Sequence, residues 1–248
     1  RDRYKNEVDC IAGFDPPNAT ALSSISNTVE DLNNRNIGLV YQKVQRRSIT
    51  GGVKVFKPHM LACIIAGMQS GAQIGEPLTF KYINALDIVN PVNADSSDKS
   101  VSDFLLQSGV LFCERVQGRG FRVVRNMSTY TKDDNLAYVD RHINYELNYM
   151  AYDMRTDLEN RFTGLKSSAA TVSSLKGAVI SKLEYYRNTI NIITDSNDPV
   201  TGAVINAYRN LKVTISGDIA TIRFEVFPTT GINYLTFEIF AQLPTIIG

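Results

Sequence analysis

One stretch limits what this chain can fold into more than any other. Leu136, Val139, Ile143, Leu147, Met150, Met154, Leu158 and Phe162 recur at three- and four-residue spacing, a helical stripe of about seven turns. Asp133 or Asp134 supplies the expected N-cap and Gly164 the C-cap. A second helix is expected over residues 171–190, with Leu175, Val179, Ile180, Leu183 and Tyr186 on one face. The turn-rich segment TDSNDPVTG follows. Residues 211–216 and 219–227 then alternate around Gly217-Asp218, which predicts a hairpin. Residues 234–243 (YLTFEIFAQL) alternate again and predict a third strand. The C-terminal part therefore reads as two helices followed by three strands.

The N-terminal part is built of shorter signals. Residues 6–13 (NEVDCIAG) predict a strand that Pro16 and Pro17 end. Asn18 or Thr20 caps a helix over residues 21–33, carried by Leu22, Ile25, Val29 and Leu32. Residues 37–44 (IGLVYQKV) predict a strand, QRRSITGG a loop, and 53–56 a short strand. Pro58 opens a helix over 60–69 that is apolar nearly all round and hence expected to be buried. Gly71 and Gly75 end it. Residues 78–89 read as mixed and extended, 90–99 as a polar loop, and 101–107 as a short helix ended by Gly109. Residues 110–116 and 121–125 predict a hairpin across QGRG. The expected fold class is α/β (α+β mixed), with helices packed on mixed sheet. One domain is expected over residues 1–248, and 90–99 is the place where it would subdivide.

Charge and cysteine usage narrow the function classes. Lys plus Arg number 26 against 25 Asp plus Glu, so bulk charge gives no reason to bind nucleic acid and no direct nucleic-acid partner is expected. The longest apolar run is too short to span a bilayer, and no stable membrane insertion is expected. Cys10, Cys63 and Cys113 form no CxxC pair. Cys63 and Cys113 sit in apolar runs and are expected to be buried free thiols. The opening RDRYKNEVD has neither a Met nor a signal peptide, and the chain reads as a fragment of a longer protein.

No catalytic or metal pattern stands out. His59 and His142 form no HxxxH pair, and the three or four convergent ligands a metal needs are not apparent. A Cys–His dyad assembled from distant residues stays open. GMQSGAQIG lacks the Lys-Ser of a phosphate loop and ends a helix instead of starting one, so it reads as a cap and turn. Arg141, Arg155 and Arg161 alternate with Glu146, Asp153, Asp157 and Glu159 as on a solvated, ion-paired face. No cofactor is expected, and the residues favour a structural or interaction role over an enzyme.

Several blocks in order then resemble one family, the contractile tail sheath proteins of bacteriophages. HMLACIIAGM followed by GEPLTFKYI looks like that family's buried helix and the strand-like segment after it. GVLFCERVQGRGFRVVRNMSTYT resembles its next hairpin and Thr-rich stretch, and VDRHINYELNYMAYDMRTDLENRFTG its long helix. LKVTISGDIATIRFEVFPTTGINYLTFEI is similar to its closing hairpin and last strand. The family's helix usually ends in a YxGK-like sequence, where this chain has Phe162-Thr163-Gly164-Leu165-Lys166. Sheath subunits are also much longer, so the resemblance places this chain in the C-terminal, inner part of one.

The resemblance implies a structural building block of the virion tail, assembled in the host cytoplasm. Its copies would polymerise into a helical cylinder and contract to drive a tube through the host envelope. Partners would be neighbouring copies of itself, the tail tube protein and the baseplate. Ile232, Tyr234, Thr236, Phe237, Ile239 and Leu243 are the candidate inter-subunit strand. Arg119, Arg122 and Arg125, with Lys176, Lys182 and Arg187, are candidate tube-facing or inter-subunit charges. Two other readings stay open. One is an enzyme or ligand-binding α/β domain with a non-local site. The other is a sheath or baseplate component of a related contractile secretion system.

Overall fold

The apolar stripe over residues 136–162 folds as helix in two pieces, and the break between them organises the molecule. The computed structural model describes residues 8–16, 22–133 and 135–230. Along them run β1 (Cys10–Gly13), α1 (Leu22–Leu32), β2 (Ile37–Val40), β3 (Val44–Arg47), β4 (Val53–Phe56) and α2 (Pro58–Gly71). Next come β5 (Tyr82–Ile83), β6 (Asp87–Ile88), β7 (Val92–Asn93), α3 (Ser100–Gln107), β8 (Cys113–Val116) and β9 (Gly120–Val123). Last are α4 (Leu136–Val139), α5 (Arg141–Phe162), α6 (Ala169–Tyr185) with a π-turn at Tyr186–Ile190, β10 (Ser196–Asn197), β11 (Val204–Ile205), β12 (Tyr208–Ser216) and β13 (Ile219–Val226). The class is mixed α/β, as expected. The predicted caps Asn18, Thr20 and Asp134 and the predicted strand 234–243 lie outside the described residues.

The sheets are small and mixed. β1 and β2 pair in parallel across α1, while β4-β3-β6 and β5-β9-β8-β7 form sheets of three and four strands. Residues 90–99 hold β7, which pairs in parallel with β8 through Val92↔Glu114. The first two sheets are stitched to β8 by a side chain. Gln42 is 1% exposed; its Nε2 donates to the Cys113 carbonyl at 2.8 Å and its Oε1 accepts from the Cys113 N–H at 2.7 Å. One amide thus does the work of a missing ladder rung and pairs both buried backbone groups of Cys113.

Three apolar clusters form the core. In the first, Leu61 and Ile65 of α2 pack on Val40, Val44, Ile83 and Val123. In the second, Met150, Met154 and Leu158 of α5 meet Leu175, Val179 and Leu183 of α6, with Leu211, Val213, Ile222 and Phe224 of the β12–β13 hairpin closing over them. In the third, Ile25 and Val29 of α1 pack on Leu39, Leu105 and Phe112. Each fully buried aliphatic side chain here contributes roughly 1.5–3 kcal/mol.

Two expectations need correction. α2 is not buried all round: Leu61, Ala62, Ile65 and Gln69 face the core, but Cys63 is exposed. Only one face of α2 has strands to lie on, so its apolar outer face is left uncovered among the described residues. Cys113 is buried as expected, and burial, then the neighbouring Glu114, pushes its thiol up to about 12. The second correction concerns the long helix. Asp140 takes an extended conformation and bridges Met127, so α4 stops and α5 restarts at Arg141. Asp140 does not cap α5 with its side chain, because Arg125 holds both carboxylate oxygens at 2.8 and 2.9 Å.

That restart places Arg141, expected on a solvated face together with Glu146, in the interior at 1% exposure, because the extended Asp140 resets which face of the helix meets the core. Its Nη2 donates to Asp9 Oδ2 at 2.6 Å and its Nη1 to Asn126 Oδ1 at 3.3 Å. Gln69 Nε2 of α2 donates to the same Asp9 oxygen at 3.1 Å. Gly38 makes the room: a Cβ there would lie 2.9 Å from Arg141 Nη1. A second close approach lies one turn on. Gly75 has φ +80°, and a Cβ on it would fall 1.9 Å from Glu146 Oε1. Glu146 is 1% exposed and accepts from the Thr229 hydroxyl at 3.0 Å.

Two measurements follow from these buried charges. Asp9→Ala strands the Arg141 guanidinium, and urea unfolding should show a loss of about 3–5 kcal/mol; a loss under about 1 kcal/mol would mean that the pair does not hold β1. Burial raises the Glu146 carboxyl to about 8, with the Thr229 hydrogen bond opposing it. A folded pKa above the unfolded one gives stability that is complete below the ordinary carboxylate range and lost as pH rises through about 8. Glu146→Gln should therefore melt with wild type at pH ~4 and above it at pH ~9. Equal melting points at both ends would show that Glu146 is charged in the fold.

Candidate subunit-contact surface

β12 and β13 are the longest strands among the described residues, at 9 and 8 residues. They pair only with each other among the described residues, and an edge that no further strand covers offers unpaired backbone groups. Their alternation is regular. Leu211, Val213, Ile222, Phe224 and Val226 turn inward, while Lys212, Thr214, Arg223 and Glu225 turn out. A bulge between Arg209 and Lys212, with Asn210 at φ +57°, bends the start of β12.

Polar contacts fix the hairpin against the helix pair. Asp153 of α5 accepts from Tyr186 Oη at 2.7 Å and from Lys182 Nζ at 2.9 Å. Burial works against its charge, but these two donors outweigh it and hold the carboxyl below its usual range. Burial and the same contact push the Tyr186 hydroxyl well up. Tyr208 Oη donates to Glu184 Oε1 at 2.7 Å, tying β12 to α6. Arg187 meets Asp195 at 2.5 Å, and Asp195 Oδ1 accepts from the Ala207 N–H at 2.8 Å.

The basic residues singled out from sequence are dispersed. Arg122 lies over the Phe80 ring at 4.1 Å and meets Glu114 at 2.6 Å. Arg125 is bound to Asp140, Lys182 to Asp153 and Arg187 to Asp195. Arg119 stands exposed on the turn between β8 and β9, and Lys176 is exposed on α6. Ile232, Tyr234, Thr236, Phe237, Ile239 and Leu243 lie outside the described residues.

A different basic surface emerges where the sequence reads as a loop. Gln45–Arg47 belong to β3, and β3 and β4 form a hairpin whose turn carries Ile49, fully exposed. Arg46 lies opposite Lys54 in the register. The signal that could have found it is a gap in acidic residues: no Asp or Glu occurs between Asp31 and Glu76.

A groove of about 840 Å³ lies under the β12–β13 hairpin, lined by Met154, Leu158, Phe162 and Leu175 on one wall and Ile222 and Phe224 on the other. Its lining is apolar in the middle and includes no histidine or cysteine. Among the described residues no three His, Cys, Asp or Glu side chains converge as metal ligands, and no helix is long and apolar enough to cross a membrane.

No family model matches the chain. It is 25% identical over 225 residues to a protein of Enterococcus phage phiEF24C assigned to the tail sheath, covering 90% of this chain and 37% of that protein. It is 23% identical over 220 residues to the tail sheath protein of Staphylococcus phage Twort (strain DSM 17442 / HER 48), covering 87% of this chain and 34% of that one. The chain thus spans just over a third of the length of these relatives. Its fold matches the helical sheath of the anti-feeding prophage in its contracted state with a TM-score of 0.62 at 13% identity, over 92% of this chain and 60% of that one. Along about nine-tenths of its length the chain is thus similar in sequence to two phage tail sheath proteins, and similar in fold to a contracted sheath.

Proposed function

We propose that this chain is part of a contractile tail sheath subunit that polymerises into a helical cylinder around a tail tube. The observation that carries the reading is the long β12–β13 hairpin, which among the described residues pairs with no other strand and is anchored on α5 and α6, in a chain similar in sequence to tail sheath proteins. An open strand edge recruits a strand from another chain, and contacts that repeat by rotation and rise give an open helix. The alternating segment with Ile232, Tyr234, Phe237 and Ile239 has the pattern such a donated strand needs. Subunits joined this way act by assembly, not by catalysis. Contraction then draws on interfaces that are better formed in the shorter state, and it drives the tube through the host envelope. The proposed location is the virion tail, with the tube protein and baseplate as further partners.

Electron microscopy of the full-length protein tests this directly. Tubes of uniform diameter are expected. A stable monomer whose melting point rises with a small-molecule ligand would overturn the reading. Deleting residues 243–248 from the full-length protein should leave its melting point within about 2 °C of wild type, as expected when only a terminal segment is removed, yet reduce tube formation. Normal tubes from that variant would remove the terminal segment from the contact.

A further inference from the structure

The chain separates its charges in a way its near-neutral total conceals. Between Asp31 and Glu76 it carries Arg35, Lys43, Arg46, Arg47, Lys54 and Lys57 and no acidic residue. These six leave twenty basic residues against all 25 acidic ones in the rest of the chain. Lys43 and Lys57 share Asp15, at 2.9 and 3.8 Å, and Arg35 lies over the Tyr138 ring at 5.1 Å. Arg46, Arg47 and Lys54 on the β3–β4 hairpin have no carboxylate partner among the described residues.

The hairpin has the marks of an unfinished contact. Arg46 and Lys54 sit at directly opposite positions, where like charges destabilise the ladder. An anionic surface laid against them removes that cost. β4 is the outer strand of its sheet, and on its other face Arg47 lies opposite Val53, with Val53 and Val55 53% and 55% exposed and the turn's Ile49 exposed as well. Arginine among exposed aliphatics is the composition of a protein contact.

The same chain carries the complement. In residues 95–104, Asp95, Asp98 and Asp103 are exposed and pair with no basic side chain among the described residues. Two of these carboxylates are held in place: Asp98 accepts from the Ser100 N–H at 2.9 Å, and Asp95 from the Gln117 N–H at 3.0 Å. Val101 and Phe104 are exposed beside them. We propose that the β3–β4 hairpin of one copy docks through Arg46 and Lys54, which share one face of the ribbon, onto residues 95–104 of a second copy. The two patches differ, so the contact is heterologous and continues from copy to copy. This deepens the assembly reading and rests on it.

Zero-length carbodiimide cross-linking of the full-length subunit, with labelled and unlabelled copies mixed, tests the contact. Lys54 of one copy should join Asp98 or Asp103 of another. Arg46→Glu with Lys54→Glu should keep the wild-type melting point but lower sedimentable assembly at least tenfold. Mixing it with an Asp98→Lys, Asp103→Lys variant, itself equally impaired, should restore assembly. Wild-type assembly by the hairpin variant, no rescue on mixing, or Lys54 links only within one copy or to another acidic protein would overturn the proposal. Inter-copy Lys54 links without any tubes from wild type would instead support the contact and count against the sheath reading. Tubes from wild type and hairpin variant alike would count against the contact alone.

Discussion

A buried guanidinium is the constraint around which the N-terminal half is arranged. Arg141 is 1% exposed and sits where β1, β2, α2 and the start of α5 meet. Taking such a group out of water costs several kcal/mol unless its donors are satisfied. Two of its nitrogens are satisfied by geometry, while Nε stays without a partner among the described residues: Asp9 must come from β1's approach, Asn126 from the segment after β9, and Gly38 must have no side chain. Apolar packing alone tolerates small slides of a helix over a sheet. A guanidinium shared between Asp9 and Asn126 does not, because a slide of an ångström or two lengthens hydrogen bonds past their useful range. Arg141 therefore acts as a register pin between the N-terminal strands and the long helix.

The start of α5 shows why that pin is hard to read from a sequence. The 3–4 spacing from Leu136 to Phe162 announces a helix, and the helix is there from Arg141 onward. Periodicity also carries the stripe through Asp140, where the chain is extended and bridges Met127. The cause of the break is Arg125, fifteen residues earlier, whose bidentate grip removes the Asp140 carboxylate from capping duty. Nothing local reports that contact. The β12–β13 hairpin, by contrast, was legible, because its alternation and its Gly217-Asp218 turn are local chemistry. Cys63 marks the same limit from another side: an all-apolar helix does not say which of its faces meets a strand.

Charges divide along similar lines. From sequence, Arg122, Arg125, Lys182 and Arg187 look as available as any others. Each meets a carboxylate brought to it by tertiary packing: Glu114 across a strand pair, Asp140 across a bridge, Asp153 across two helices and Asp195 beyond a turn. Arg46 and Lys54 face each other across a strand pair instead. The informative sequence signal was the lack of acidic residues around them, which removes the partners close in sequence and leaves only those that packing brings from outside. An absence spread over 44 residues (32–75) is easily overlooked beside motifs that are a few residues long.

Interior and periphery thus use charge in opposite ways. Inside, Arg141 is desolvated and paired with Asp9, so it fixes one arrangement strongly and responds weakly to salt. At the edge, Arg46, Arg47 and Lys54 are solvated and uncompensated, so whatever they meet is held by a contact that salt weakens. In the proposed sheath reading, a subunit that moves as a body while exchanging neighbours needs this separation. If its inner pairs were as labile as its outer ones, the work of rearranging contacts would be absorbed by deforming the subunit. If its outer contacts were as desolvated as the Arg141 pair, breaking one would cost several kcal/mol and a lattice built from them would not shorten.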